Sequence, residues 1–69
     1  MDDVRGNIAM NIRKYRKIKG ISQKEFATLI GISASAESKW ETGKSKPKLI
    51  YLGRIATVLN ISIQALFDN

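Results

Sequence analysis

Apolar residues recur along this chain at three- and four-residue spacings. Val4, Ile8, Ile12 and Tyr15 follow one another at steps of four, four and three, and Ile18 comes three later. That period lines them along one face of a helix. Asp2 or Asp3 is its expected cap, and Gly20 can take the left-handed conformation that ends it. Arg13, Lys14, Arg16, Lys17 and Lys19 surround its second half, where cations suit the negative end of the helix dipole. "SQKE" at Ser22–Glu25 is a capping-box signature that opens a second helix. Its apolar stripe is Phe26, Ala27, Leu29 and Ile30, and Gly31 stops it. Ser33 or Ser35 caps a third helix that reaches Thr42 before Gly43.

The basic turn "GKSKP" follows, with Pro47 suited to the first position of a fourth helix. Leu49, Leu52, Ile55, Ala56 and Leu59 form the expected inward face of that helix. Gly53 weakens it by about 1 kcal/mol relative to alanine, which packing must offset. Asn60 is its expected end, and Ser62 caps a short final helix through Phe67. No strand-like alternation and no internal repeat interrupt this pattern. The expectation is an all-α domain of five helices spanning 1–69, with no linker and no second domain.

Composition narrows the function classes. The 69 residues contain no cysteine and no histidine, which removes disulfide staples and the usual zinc sets. No serine sits beside an evident base, and there is no P-loop or metal-ligand cluster, so neither enzyme nor cofactor is expected. No basic start followed by an apolar run opens the chain, and no apolar stretch is long enough to span a bilayer. A cytoplasmic protein with no membrane partner and no small-molecule ligand is expected. Formal net charge is +6, unevenly spread. Residues 1–22 hold six basic and two acidic side chains, residues 32–54 hold five and two, and residues 55–69 hold only Asp68. A basic front with a neutral apolar tail points to a polyanion partner at one end.

The helices Gln23–Ile30 and Ser33–Thr42 are joined only through "GIS". A connection that short, with a glycine in it, forces the steep crossing of a helix-turn-helix. Ala27 is small where the two helices approach, Ile32 fills the core after the turn, and Trp40 anchors the second helix. Ser35, Ser38, Lys39 and Thr42 lie at i, i+3, i+4 and i+7, a polar stripe on the side away from Trp40.

With these residues in place, the chain resembles the lambda-repressor/Cro-like (Xre-type) helix-turn-helix family. The matching pieces are "IRKYRKIKGISQKEFATLIGIS", "SKWETGKSKPKL" and "IATVLNISIQALF", which together cover about Ile8 to Phe67. The resemblance implies a compact five-helix domain whose third helix lies in the major groove of double-stranded DNA, working as a homodimer on two-fold-related half-sites. It implies that Gln23 contacts phosphate and that Ser33, Ala34, Ser35 and Lys39 read bases, with Ser38 and Thr42 beside them. Lys39 suits guanine, whose O6 and N7 accept from an ammonium group. Lys44, Lys46 and Lys48 would flank the groove as phosphate contacts. Arg16 and Glu41 stand where the family places a partly buried structural ion pair.

Ala34 and Ala36 replace side chains that are polar in many relatives. Glu37 stands where the family has Ile, Val or Leu. A buried unpaired carboxylate costs several kcal/mol, so Glu37 is expected at the edge of the second and third helices, partly solvated and paired with a cation of helix 1 or Lys24. Val58, Ile61, Ile63 and Phe67 exceed what one small core hides and are the expected dimer contact. The function expected is a sequence-specific DNA-binding transcriptional regulator, a repressor. The alternative is a helix-turn-helix module for protein contact, such as an antitoxin or adaptor with weak DNA binding.

Overall fold

The structure is a computed structural model that describes residues 4–68, with side chains described from Asn7. Four α-helices follow in order: α1 Val4–Lys19, α2 Gln23–Ile30, α3 Ala34–Glu41 and α4 Leu49–Leu59. The fifth expected helix is instead a single 3₁₀ segment, Ile63–Phe67. The expected caps Asp2 and Asp3 lie outside the described residues.

Local chemistry sets most of the ends. Ser22 Oγ accepts from the Glu25 N–H at 2.9 Å while the Ser22 N–H donates to Glu25 Oε1 at 3.0 Å, a complete capping box. Gly31 at φ 90° closes α2, and the N–H groups of Gly31 and Ile32 both return to the Ala27 carbonyl. Ser33, rather than Ser35, caps α3 through the Ala36 N–H. Ser62 Oγ accepts from the Ala65 N–H and opens the 3₁₀ segment. Asn60 ends α4 at φ 57°, a conformation asparagine tolerates better than most residues. Lys48 keeps extended backbone at the start of α4. Pro47 therefore sits buried outside the helix, which begins two residues later than the proline pattern suggested.

The core is built from Ile8 and Ile12 of α1, Phe26 and Ile30 of α2, Trp40 of α3, Leu52, Ile55 and Leu59 of α4, and Leu66. Three stripe residues lie outside it: Ile18, Leu29 and Leu49 are 71%, 57% and 84% exposed. Each three-residue step falls about 60° short of a full turn. Two such steps from Ile12 through Tyr15 carry Ile18 off the buried face, and Leu49 is the first residue of α4. Leu29 is displaced about 100° from Ile30, its neighbour in the core.

Two side chains that no sequence pattern announced fix the outer elements through three long-range bonds. Asn11 is buried on α1, and its Nδ2 donates to the carbonyls of Leu66 at 2.9 Å and Asp68 at 2.7 Å. Arg54 of α4 donates through Nη1 to the Ile30 carbonyl at 2.8 Å, satisfying an acceptor left open at the end of α2.

Candidate nucleic-acid interface

The short turn between α2 and α3 leaves one side of α3 inside the domain and the other bare. Inward lie Trp40, Glu41 and Glu37, all buried. Trp40 packs against Tyr51 of α4 with ring centroids 5.5 Å apart and planes tilted by 56°. Outward lie Ser33, Ala34, Ser35, Lys39 and Thr42, all exposed, while Ser38 is half-buried between the two sides. Ser33 Oγ is taken up by its cap, and the Thr42 hydroxyl donates back to the Ser38 carbonyl at 3.0 Å. Ala34, Ser35 and Lys39 have no such internal tie among the described hydrogen bonds. Lys44 and Lys46 are exposed on the turn that follows, and Lys48 beyond them. Small residues at the start of α3 let its backbone approach a surface closely, with Lys39 as the longest reach.

One buried polar group joins three elements beneath this surface. Arg16 of α1 donates from Nε to Glu41 Oε2 at 2.7 Å and from Nη2 to Glu41 Oε1 at 3.1 Å. Its Nη1 donates to the Ile21 carbonyl at 2.9 Å, tying the α1–α2 connection to the same guanidinium. Gln23, at the start of α2, donates from Nε2 to Glu41 Oε1 at 3.2 Å. The hydrogen bond to Glu41 raises Arg16 above its ordinary value. Burial works against the charge of Glu41, but the hydrogen bonds it accepts outweigh burial and hold its carboxyl below the ordinary range. Charge-assisted, bidentate bonds of this kind restrict α3 to one setting against α1 and α2.

Glu37 departs from the expectation of a solvated, cation-paired side chain. It is fully buried, and neither oxygen accepts a hydrogen bond from the protein. Its phase sets the direction, since three residues before Trp40 and four before Glu41 is the same inward side. Lys24 is exposed and does not pair with it. Burial first, then the neighbouring Glu41, pushes the Glu37 carboxyl up to about 8. At neutral pH it therefore holds a proton, one helical turn from the Glu41 carboxylate.

The four tail residues divide. Val58 and Ile61 are partly buried against the core, whereas Ile63 and Phe67 are 47% and 39% exposed. Among the described residues, no group of three or more acidic, histidine or cysteine side chains is placed to hold a metal ion. No helix among them is long and apolar enough to cross a membrane.

Comparison with known proteins gives a consistent answer. A helix-turn-helix family model matches residues 12–66. The HTH-type transcriptional regulator YazB of Bacillus subtilis is 42% identical over 55 residues, covering 80% of this chain and 80% of YazB. The HTH-type transcriptional regulator SinR of the same organism is 34% identical over 62 residues, 88% of this chain but only 56% of SinR. The crystal structure of the restriction-modification controller protein C.AhdI from Aeromonas hydrophila superposes with a TM-score of 0.84 at 30% identity, covering 91% of each chain. With its buried Trp40, its glycine-turned α2–α3 pair and a family match over most of its length, the chain belongs to the helix-turn-helix family of the lambda-repressor/Cro (Xre) type.

Proposed function

We propose that the protein is a sequence-specific DNA-binding transcriptional regulator, a repressor, that places α3 in the major groove as a homodimer. The observation that carries this reading is the asymmetry of α3. Its inner side is fastened to α1, α2 and α4, and its outer side presents small residues and Lys39 to solvent. In this reading Ala34, Ser35 and Lys39 meet base edges, with Ser33, Ser38 and Thr42 beside them. Lys44 and Lys46 meet phosphates on the flank, where positive charge positions the helix without reading sequence. Gln23 spends one of its two amide N–H donors on Glu41, and the second serves a phosphate. Ile63 and Phe67, backed by Val58 and Ile61, form the dimer contact, which sets the two copies of α3 about one DNA turn, 34 Å, apart.

The test is a salt titration of binding to duplex DNA selected from a random pool, together with sedimentation of the free protein. Each phosphate neutralised contributes about −0.9 to the slope of log affinity against log salt. A steep slope, an enriched two-fold-symmetric sequence and a dimer are expected. Binding that is level in salt refutes the reading. A pool with no enriched sequence favours the alternative of a protein-contact module such as an antitoxin or adaptor.

A further inference from the structure

Among the described residues, Glu37 is the one buried group that the packing of the domain does not explain. A leucine or isoleucine fills such a position without desolvating a carboxyl, and no donor N–H or O–H is provided for its oxygens. What the fold does provide is a second carboxylate one turn along the same helix. Glu41 holds two donors on Oε1 and one on Oε2, all from outside α3. A protonated Glu37 places an O–H group one turn away from that carboxylate, from within α3.

We propose that the Glu37–Glu41 pair is a proton-dependent latch on α3: with the proton in place the helix is docked for DNA, and when the proton leaves for solvent α3 loosens from α2 and the DNA is released. This rests on the reading of α3 as the DNA-contacting helix.

The charges around the pair support it. Among the described residues, Arg16 of α1 is the one cation acting on Glu37, and both its Nε and Nη2 are committed to Glu41. From α2 the nearest contribution is the neutral Gln23 amide, also committed to Glu41, while Lys24 and Glu25 are exposed. Among the described residues, no charged group of α4 acts on Glu37. Loss of the proton therefore puts two carboxylates one turn apart in the interior against a single guanidinium. One anion is then uncompensated, and the simplest relief is hydration, which requires α3 to move outward. Undocked, Glu37 meets water with the ordinary carboxyl value of 4.5; docked, it titrates at about 8. Between those values the docked state holds one more proton, so the docking constant falls tenfold for each pH unit gained and levels off above the upper value.

The chain offers a clean readout. Trp40 is its only tryptophan and sits buried on α3. With no histidine or cysteine present, only the α-amino group is expected to titrate alongside Glu37 near neutrality. The experiment compares the full chain with Glu37→Gln, which keeps a neutral polar group, and Glu37→Leu, which keeps the fold if the amide does not. Urea unfolding followed by Trp40 emission and binding to a mixed-sequence DNA duplex at low salt are measured across pH 6–9. The unfolding constant of the natural chain is expected to shift about tenfold per pH unit up to about pH 8, with DNA affinity falling over the same range. Both variants are expected to stay level in both measurements. Equal pH profiles for the natural chain and the variants overturn the latch. So does DNA affinity that stays level while the Trp40 signal titrates. A Trp40 titration that is absent from the variants, with no DNA bound at any pH, upholds the latch and overturns the DNA reading instead.

Discussion

Removing Glu41 is the most informative single perturbation of this domain. Glu41→Ala takes away the acceptor for Arg16 Nε and Nη2 and for Gln23 Nε2. Arg16 is only 8% exposed, so its guanidinium is left largely desolvated, with Nη1 alone still bonded, to Ile21. Breaking a buried pair from one side costs about 3–5 kcal/mol, against about 0–1 kcal/mol for a pair at the surface. Typical stability per residue puts a chain of this length at about 3–10 kcal/mol in total. The variant is therefore expected to lose at least about three-tenths of its stability and to be substantially unfolded at moderate temperature. Urea denaturation followed by Trp40 emission measures the loss. The double variant Arg16→Met/Glu41→Leu separates lost attraction from stranded charge, because replacing both partners by apolar groups is often close to neutral. It is expected to be more stable than Glu41→Ala alone. A loss below about 1 kcal/mol for Glu41→Ala, the surface value, would refute the reasoning, as would a double variant less stable than the single one.

Three further outcomes follow, one from the buried glutamates and two from the exposed lysines. The two glutamates impose opposite pH trends. Glu37, raised when folded, contributes less stability as pH climbs from 4.5 to about 8; Glu41, lowered when folded, contributes stability above 4.5 that is lost on acidification. Melting temperature is therefore expected to peak at about pH 5, and a maximum at pH 7 or above contradicts these assignments. On DNA, Lys39→Ala is expected to weaken the selected sequence by about 1–3 kcal/mol and blur one base position per half-site. Lys46→Ala should weaken all sequences alike, and identical uniform losses from both would make Lys39 a phosphate contact only.

Much of this fold was legible in the chain because helix ends are local events. Ser22, Ser33 and Ser62 act on N–H groups three residues away, and Gly31 and Asn60 act through their own backbone angles. The period of the apolar residues likewise located α1 to α4, and the polar stripe of α3 needed only a helical wheel. The wheel could not say how wide the buried face is, and Ile18, Leu29 and Leu49 ended outside it because each helix is covered over a limited arc. It gave the direction of Glu37 but not its depth. Whether an inward glutamate meets water, a cation or another carboxylate depends on α1 and α2, which close over it from elsewhere in the chain. The Asn11 and Arg54 bonds were hidden for the same reason, since their acceptors lie 55 and 24 residues away. Capping and periodicity are settled within a turn or two of helix, whereas burial and partner choice are settled only when distant segments pack and exclude water.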